Sequence, residues 1–162
     1  MSDTGYGEGD AFPDFEMDVQ RPDGENGPMT LSDFAGRKLV VFFYPKDNTP
    51  GCTTEAKDFT ALASEFEEAG VALLGVSKDS AKKHANFIAK HDLAVPLGTD
   101  AEEDGLSDRL GVWAQKKMYG KTFMGMVRTT YLVDGDGTIA RVWNKVKVKD
   151  HAREVLEAAR EL

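Results

Sequence analysis

Cysteine is almost absent from this sequence: Cys52 is the only one in 162 residues. One cysteine cannot form an internal disulfide, so the fold depends on its hydrophobic core, and a reducing compartment is compatible with the sequence. Hydrophobic residues make up 41% of the chain, which is enough for one domain with a sizeable core. The single thiol therefore either fills a place in that core or has a chemical role.

Long apolar runs and an excess of positive charge are also absent. No run approaches the ~18 to 20 residues of a membrane span, and "MSDTGYGEGDAFPDF" lacks the basic and apolar regions of a signal peptide. The formal net charge is −8, which disfavours nucleic acid and anionic membrane surfaces as partners. We therefore expect a soluble, cytoplasmic protein that binds neither nucleic acid nor membranes.

Metal-ligand patterns are missing too. His84, His91 and His151 have no cysteine or paired-ligand spacing, and each falls on a predicted polar helical stretch. The segment "DGDG" at 134–137 resembles part of a calcium loop, but the remaining ligands are lacking and the turn of a hairpin explains it. We expect no metal site and no bound cofactor.

Several segments have the composition of β-strands. "FEMDV" predicts a short strand, followed by turn residues and one helical turn closed by Gly36. The continuous apolar run at 38–44 predicts a strand buried on both faces, and "VALLGVS" predicts a second. "AVPLGTD" predicts a brief third strand or an edge, and "MVRTTYLVDGDGTIARVWN" predicts a hairpin.

Three helices are predicted between and after these strands. The first runs from about 50 to 68 and ends at Gly70, while Ser80 and Asp150 are expected to cap the second and the third. The residues predicted to face the core in the last two are Ala81, Ala85, Ile88, Ala152, Val155, Leu156 and Ala159.

Together these elements describe one domain. Residues 1–11 are rich in Gly and Asp and predict a flexible arm, so the domain spans residues 12–162. A βαβ half followed by a ββα half indicates an α/β domain of thioredoxin type, with a central mixed sheet flanked by helices.

Cys52 follows the first buried strand, in "YPKDNTPGCTTE". With Thr49 as the N-cap, Pro50, Gly51 and Cys52 take the first three helical positions. Unpaired N–H groups and the positive end of the helix dipole favour a thiolate there, and Gly51 lets a substrate approach the backbone closely. An isolated cysteine is more often a small buried hydrophobe, but that role suits an apolar run better than a position between Pro-Gly and "TTE".

"FFYPKDNTPGCTTE", together with "GVWAQKKMYGKTFMGMVRTTYLVD" at 111–134, resembles the peroxiredoxins, and within them the bacterioferritin comigratory protein or peroxiredoxin Q group. The resemblance covers nearly the whole chain after residue 10, and its P-x-x-x-T-P-x-C signature is highly specific. It implies a thioredoxin-like fold and the reduction of hydrogen peroxide or organic hydroperoxides by a peroxidatic cysteine. The catalytic residues that it implies are Cys52, Thr49, Arg128 and Pro45.

The chemistry gives these residue types a reason. A thiolate attacks one peroxide oxygen and the other leaves as hydroxide or alkoxide, so the developing charge needs hydrogen-bond donors. Arg128 can supply them, Thr49 can hold a peroxide oxygen, and Pro45 would shield the sulfur from water. From the residues alone, Arg128 could equally be a surface strand residue, Thr49 simply a cap and Pro45 a strand terminator.

Other residues are expected near the pocket. Glu55 lies in the first helical turn, where a carboxylate is ordinarily a dipole partner, and it could orient Arg128. Tyr44 ends a core strand and could line the pocket. Four apolar residues are expected in the core, with a pocket wall or a subunit contact as the alternative: Trp113, Met118, Phe123 and Met124.

The sequence departs from the resembled group at the resolving cysteine. Many relatives carry it five residues after the peroxidatic cysteine or in the helix after the next strand, and those positions are Lys57 and Ile88 here. The resemblance then implies a one-cysteine mechanism with an external thiol, which could be thioredoxin-like, glutaredoxin-like or of low molecular weight. A monomer or weak homodimer is expected.

Two other functions remain open on the sequence. One is a monothiol thiol–disulfide transferase of thioredoxin fold, and the other is a catalytically silent binding or chaperone module. A transferase should react with disulfides rather than peroxides, and a silent module should be indifferent to the loss of Cys52.

Overall fold

The computed structural model of the protein describes residues 6–101 and 105–162. Seven strands form its main sheet: β1 (Glu16–Gln20), β2 (Gly27–Thr30), β3 (Lys38–Phe43), β4 (Val71–Ser77), β5 (Leu97–Thr99), β8 (Thr129–Val133) and β9 (Ile139–Trp143). Their order across the sheet is β2-β1-β5-β4-β3-β8-β9. Strands β3, β4 and β5 run parallel, whereas the remaining pairs are antiparallel, so the sheet is mixed as the sequence predicted.

Helices cover both faces of this sheet. They are a 3₁₀-helix (Leu31–Phe34), α1 (Pro50–Ala61), α2 (Ala63–Glu68), α3 (Ala81–His91), α4 (Leu106–Arg109) and α5 (His151–Arg160). The single helix predicted over 50–68 is wrong, because the helix is interrupted at Leu62. The Leu62 N–H bonds to the carbonyl of Phe59, three residues back, so the last turn of α1 tightens and the chain starts again as α2.

The strand β3 is buried on both faces, as its apolar run predicted. Val40 and Phe42 contribute to the core beneath α1, α3 and α5, which also contains Phe59, Phe87 and Leu156. The alternate residues of β3 contribute to a second core on the other face, with Phe12, Phe15 and Tyr131. This strand therefore lies in the middle of the domain, between the two cores. The segment that follows it connects the sheet to α1.

The later helices have the predicted positions but not all of the predicted contacts. The Ser80 Oγ accepts the Lys83 N–H at 3.2 Å, which confirms that cap. Asp150 stands at the N-cap of α5 with φ 59°, but its side chain makes no capping hydrogen bond. The predicted α3 face is confirmed at Ile88, which is buried, and wrong at Ala85, which is exposed. His84 and Phe87 are buried instead, because the large Phe87 ring and not the alanines determines which face turns inward.

Part of the predicted N-terminal arm is ordered by hydrogen bonds. Residues 1–5 lie outside the described residues. The Gly9 N–H bonds to the Ile139 carbonyl, the Ile139 N–H bonds to the Asp10 carbonyl, and Ala11 forms a β-bridge with Thr138. These contacts tie residues 9–11 to the start of β9, and the flexible arm predicted over residues 1–11 stays a prediction.

A second sheet of two strands is not predicted by the sequence. Strands β6 (Trp113–Met118) and β7 (Lys121–Met126) pair with each other, and neither belongs to the main sheet. Phe123 is 44% exposed and Met124 49%, so their predicted core positions are wrong, while the Met118 side chain lies outside what the structure describes. We call this element the β6–β7 hairpin.

Strand β2 is also unpredicted, because its residues lie in a segment rich in turn formers. The hairpin of β8 and β9 is confirmed, and the Asp134 Oδ1 accepts the N–H groups of Asp136 and Thr138 in its turn. Across residues 6–101 and 105–162, no helix has the length and apolar character needed to cross a membrane.

Candidate active site

Cys52 lies in the first turn of α1, immediately beyond the segment that leaves β3. Thr49 has extended backbone angles at the N-cap, Pro50 begins the helix, and Cys52 is its third residue, as the sequence predicted. Its side chain forms no disulfide and is only 2% exposed. The thiol is therefore held at a helix N-terminus and shielded from bulk water.

Arg128 reaches this thiol from the position just before β8, the strand next to β3. Thr129 is paired with Phe43, so Arg128 lies at the end of the sheet where β3 leads into α1. Its Nη2 donates to the Cys52 Sγ at 3.3 Å, and its Nη1 donates to the Glu55 Oε1 at 2.6 Å. The guanidinium thus lies between a thiol and a carboxylate on successive turns of the same helix.

Gly51 makes room for that guanidinium. A Cβ at this position would lie 3.2 Å from the Arg128 Nη2, closer than most real Cβ contacts. The sequence suggested that a substrate would use the space beside Gly51. In the structure this space admits the arginine that contacts Cys52.

Glu55 is the carboxylate of the site and is 1% exposed. Burial raises the pKa of Glu55 to about 7, although the charge of Arg128 opposes this shift. Its Oε2 has no hydrogen-bond partner among the described residues, which agrees with a carboxyl that releases its proton reluctantly. Burial alone would lower the pKa of Arg128, but the charges of Glu55 and Cys52 hold it above its ordinary value.

Thr49 and Pro45 flank the thiol in sequence and are both half-buried. The Thr49 hydroxyl donates to the Lys46 carbonyl at 2.7 Å and makes no capping hydrogen bond, so the sequence was right about the N-cap position and wrong about a capping hydroxyl. The donation fixes the hydroxyl and leaves its oxygen able to accept. The roles of Thr49 towards peroxide and of Pro45 towards water stay predictions.

Tyr44 is buried at the end of β3, before the segment that leads to Cys52. Its side chain is 1% exposed, and its hydroxyl donates to the Asp47 Oδ1 at 2.6 Å. Tyr44 continues the alternation of β3 and turns its ring into the core that also contains Phe42 and Cys52, and its place in a pocket wall stays a prediction.

Two histidines also lie elsewhere than the sequence predicted. His84 is fully buried and His151 is 6% exposed, although both fall on segments that are polar in sequence. Burial lowers the pKa of His151 to about 4, so this ring is neutral at neutral pH, and its Nε2 lies 2.9 Å from the Thr130 Oγ1. Within the described residues, no group of three or more His, Cys, Asp or Glu side chains could hold a metal ion.

Lys116 is a site residue that sequence reasoning did not single out. It is half-buried on the β6–β7 hairpin. Burial and then the charge of Arg128 lower the pKa of Lys116, whereas the charge of Cys52 raises it. A second cation therefore lies near the thiol, and only the pair of lysines in "QKKMYGK" marks it in the sequence.

Comparison with known proteins identifies the family of this chain. Residues 8–142 match the AhpC/TSA family. The chain belongs to this family. Peroxiredoxin Bcp of Xanthomonas campestris pv. campestris is 50% identical over 129 residues, which cover 80% of each chain. Peroxiredoxin Bcp of Bacillus subtilis is 43% identical over 155 residues, which cover 95% of each.

A solved structure shows the same fold. The Xanthomonas campestris bacterioferritin comigratory protein, studied for alkyl peroxide reduction, superposes with a TM-score of 0.83 at 43% identity, covering 91% of this chain and 90% of that one. The thioredoxin-like fold is confirmed, and the protein is a peroxiredoxin, that is, a thiol-dependent peroxidase.

This peroxiredoxin has no resolving cysteine near its thiol. Lys57 is exposed on α1, and Ile88 is 9% exposed in the core beneath α3. Neither side chain can form a disulfide with Cys52, and the sequence contains no other cysteine.

Proposed function

We propose that this peroxiredoxin reduces hydrogen peroxide and organic hydroperoxides through the Cys52 thiolate. The observation that carries the proposal is the 3.3 Å contact between the Arg128 Nη2 and the Cys52 Sγ. A guanidinium in that place stabilises a thiolate and offers fixed N–H donors to a peroxide that reaches the sulfur. The alkyl peroxide reduction named for the Xanthomonas campestris relative supports the inclusion of organic hydroperoxides.

The first half of the cycle is a displacement on oxygen. The Cys52 sulfur attacks one peroxide oxygen, an S–O bond forms, and the O–O bond breaks. The second oxygen leaves as hydroxide or alkoxide and takes a proton from solvent, while Cys52 becomes a sulfenic acid. Arg128 donates to the departing oxygen, Glu55 fixes the guanidinium, and the Thr49 hydroxyl positions the peroxide.

The second half needs a thiol from outside the chain. An external thiol attacks the Cys52 sulfenic acid to give a mixed disulfide and water, and a second thiol releases Cys52 and forms the external disulfide. The donor is a thioredoxin-like or glutaredoxin-like protein or a low-molecular-weight thiol. We propose that the protein is cytoplasmic, because a lone free thiol suits a reducing compartment. We also propose that it is a monomer or a weak homodimer.

Stopped-flow oxidation tests the first half. Reduced protein mixed with hydrogen peroxide should consume one equivalent rapidly, and Cys52→Ser should consume none while keeping its fold by circular dichroism. A hydroxyl has nearly the shape of the thiol but is far less acidic. Retained peroxidase turnover in Cys52→Ser would exclude the assignment. Faster reaction with a small disulfide than with peroxide would instead indicate the monothiol transferase.

Intact-mass spectrometry tests the second half. After one equivalent of peroxide without reductant, the chain should stay monomeric by covalent mass and gain one oxygen at Cys52, and excess peroxide should add one or two more. Added glutathione should give a transient mixed disulfide. Complete conversion to a disulfide-linked dimer, with no sulfenic acid trapped by a specific probe, would show that two subunits resolve each other.

A further inference from the structure

A buried polar network lies beside the active site and has no part in the chemistry described so far. The Tyr44 hydroxyl donates to the Asp47 Oδ1 at 2.6 Å, and the Asp47 Oδ2 lies 2.7 Å from the His84 Nδ1. The His84 Nε2 lies 3.0 Å from the Gly98 carbonyl oxygen. His84 is 0% exposed, and Tyr44 and Asp47 are 1% and 6% exposed.

The hydrogen bonds of this network determine its protonation. A carbonyl oxygen can only accept, so the His84 Nε2 carries a hydrogen. The Asp47 Oδ2 and the His84 Nδ1 lie too close to face each other with two lone pairs, so one proton lies between them. Both ring nitrogens of the buried His84 therefore have a hydrogen-bond partner, as a buried polar side chain requires.

The network holds the segment that precedes Cys52. Asp47 lies in the loop of residues 45–49, and its backbone N–H donates to the Asp79 Oδ2 at 2.8 Å. Ser77, the last residue of β4, donates its hydroxyl to the same Asp79 oxygen at 2.7 Å. The loop is thus fixed through Asp47 to β4, to α3 and to the end of β3.

The next residue of the loop, Asn48, has a backbone conformation that the contacts of Asp47 help to hold. Asn48 has φ 63°, a left-handed conformation that is unfavourable for most side chains and tolerable for Asn. This turn directs the chain into Thr49 and the first turn of α1. The Asn48 Oδ1 lies 3.3 Å from the His91 Nε2, which adds a second contact from α3. The orientation of the Cys52 turn therefore depends on how firmly Asp47 is held.

We propose that His84 is a positioning residue of the peroxidatic site. It acts through Asp47, holding the loop of residues 45–49 so that Thr49 and Pro45 keep their places around the Cys52 thiol. The proposal rests on the proposed peroxidase function. His84 touches neither the sulfur nor the peroxide, so its removal changes the alignment of the reacting groups without changing the thiol itself.

Two His84 variants distinguish the effect of the His84–Asp47 hydrogen bond from the effect of ring packing. His84→Phe keeps a ring beside Tyr44 but cannot bond to Asp47, and we expect its second-order rate constant with hydrogen peroxide to fall about tenfold or more, since small displacements cost rates of this order. His84→Asn places an amide N–H where Nδ1 donates, and its rate constant should recover to within about threefold of the native value.

Alkylation by iodoacetamide gives the readout that a structural defect would not reproduce. This reagent needs a reactive and accessible sulfur but no aligned peroxide, so its rate in His84→Phe should stay near the native rate. Equal losses in both reactions would mean that His84 acts on the thiol, and faster alkylation would mean that the Cys52 turn has unfolded. Either result would overturn the proposal, as would a native peroxide rate in His84→Phe.

Ile139→Val is the matched control. Ile139 is 1% exposed in the core on the other face of the sheet, and it pairs with Val133 at the end of β8 away from Arg128. The loss of one methylene group should lower the melting temperature and leave the peroxide rate within about twofold. A comparable rate loss would show a general effect of stability and refute positioning. If the native chain itself failed to react with peroxide, the proposed function would fail, which is a different result.

Discussion

The Arg128 Nη2 lies 3.3 Å from the Cys52 Sγ, although the two residues are 76 positions apart in the sequence. Their contact is produced by the pairing of β8 with β3, which brings the residue before Thr129 to the point where β3 leads into α1. The same guanidinium binds Glu55 one turn further along the helix. One side chain therefore contacts both the thiol and the carboxylate of the site.

Arg128→Met should slow the oxidation of Cys52 by hydrogen peroxide by about 10²-fold or more, because it removes the donors that stabilise the developing charge. The fold should persist, since without the opposing charge of Arg128 the pKa of Glu55 rises further and the buried carboxyl becomes neutral. Stopped-flow oxidation measures the rate and circular dichroism the fold. An unchanged rate constant would return Arg128 to a purely structural role.

Gly51→Ala should separate stability from activity. Alanine favours a helix over glycine by about 0.5–1 kcal/mol, so the melting temperature should hold or rise. Its Cβ would press on the Arg128 Nη2 at 3.2 Å, so oxidation by peroxide should slow by roughly threefold to tenfold. Gly135→Ala is the control, because a Cβ there meets only ordinary contacts at 3.5 Å in a distant turn. Equal rates in both variants would contradict the expectation.

Glu55→Gln should change how stability depends on pH. The pKa of Glu55 rises from 4.5 to about 7 on burial, so between these values the folded chain keeps a proton that the unfolded chain releases. Its contribution is fully present below pH 4.5 and is lost as the pH rises through 7, on the order of 3 kcal/mol in total. Glutamine removes the titration.

Urea unfolding at pH 5 and pH 8 measures this effect as the difference between the native protein and Glu55→Gln. His151, with its pKa lowered to about 4, titrates in both proteins and contributes in the opposite sense between pH 4 and 6.5, so it cancels in that difference. We expect the free energy of unfolding to fall more from pH 5 to pH 8 in the native protein. Parallel behaviour of the two would show that Glu55 ionises normally.

Thr49→Val should slow the oxidation of Cys52 markedly and lower the free energy of unfolding only slightly. The hydroxyl bonds to the Lys46 carbonyl and does not cap α1, so its loss should cost no more than about 1 kcal/mol. If the hydroxyl positions peroxide, the rate constant should fall about tenfold or more, and Thr49→Ser should restore most of it. A lower melting temperature with a native rate would leave Thr49 with a role in the loop alone.

The sequence predicts the parts of the site that local rules determine. Thr49, Pro50 and Cys52 follow the preferences of a helix start, so these residue types alone are enough to place the thiol in the first turn. Arg128 is different, since nothing local distinguishes it from a surface residue of a strand. Only the resemblance of "VRTTYLVD" to a known family singles it out.

Other positions depend on contacts between distant segments, and there the sequence misleads. His84 looks like part of a polar helical stretch, and its burial follows from the Asp47 carboxylate that meets it from the loop after β3. Lys116 lies on a hairpin whose strands alternate too weakly to be recognised. Tyr44 adjoins the motif and so suggests a pocket residue, and strand alternation turns it into the core that also contains Cys52.

The pairing of β8 with β3 also determines when Arg128 reaches Cys52 during folding. Cys52 leaves the ribosome long before residue 128, and until β8 joins the sheet there is no guanidinium beside the sulfur. If Arg128 activates the thiol as proposed, we expect Cys52 to react with peroxide more slowly in a nascent chain than in the folded protein. The side chain that would activate the thiol is supplied only when most of the chain has been made.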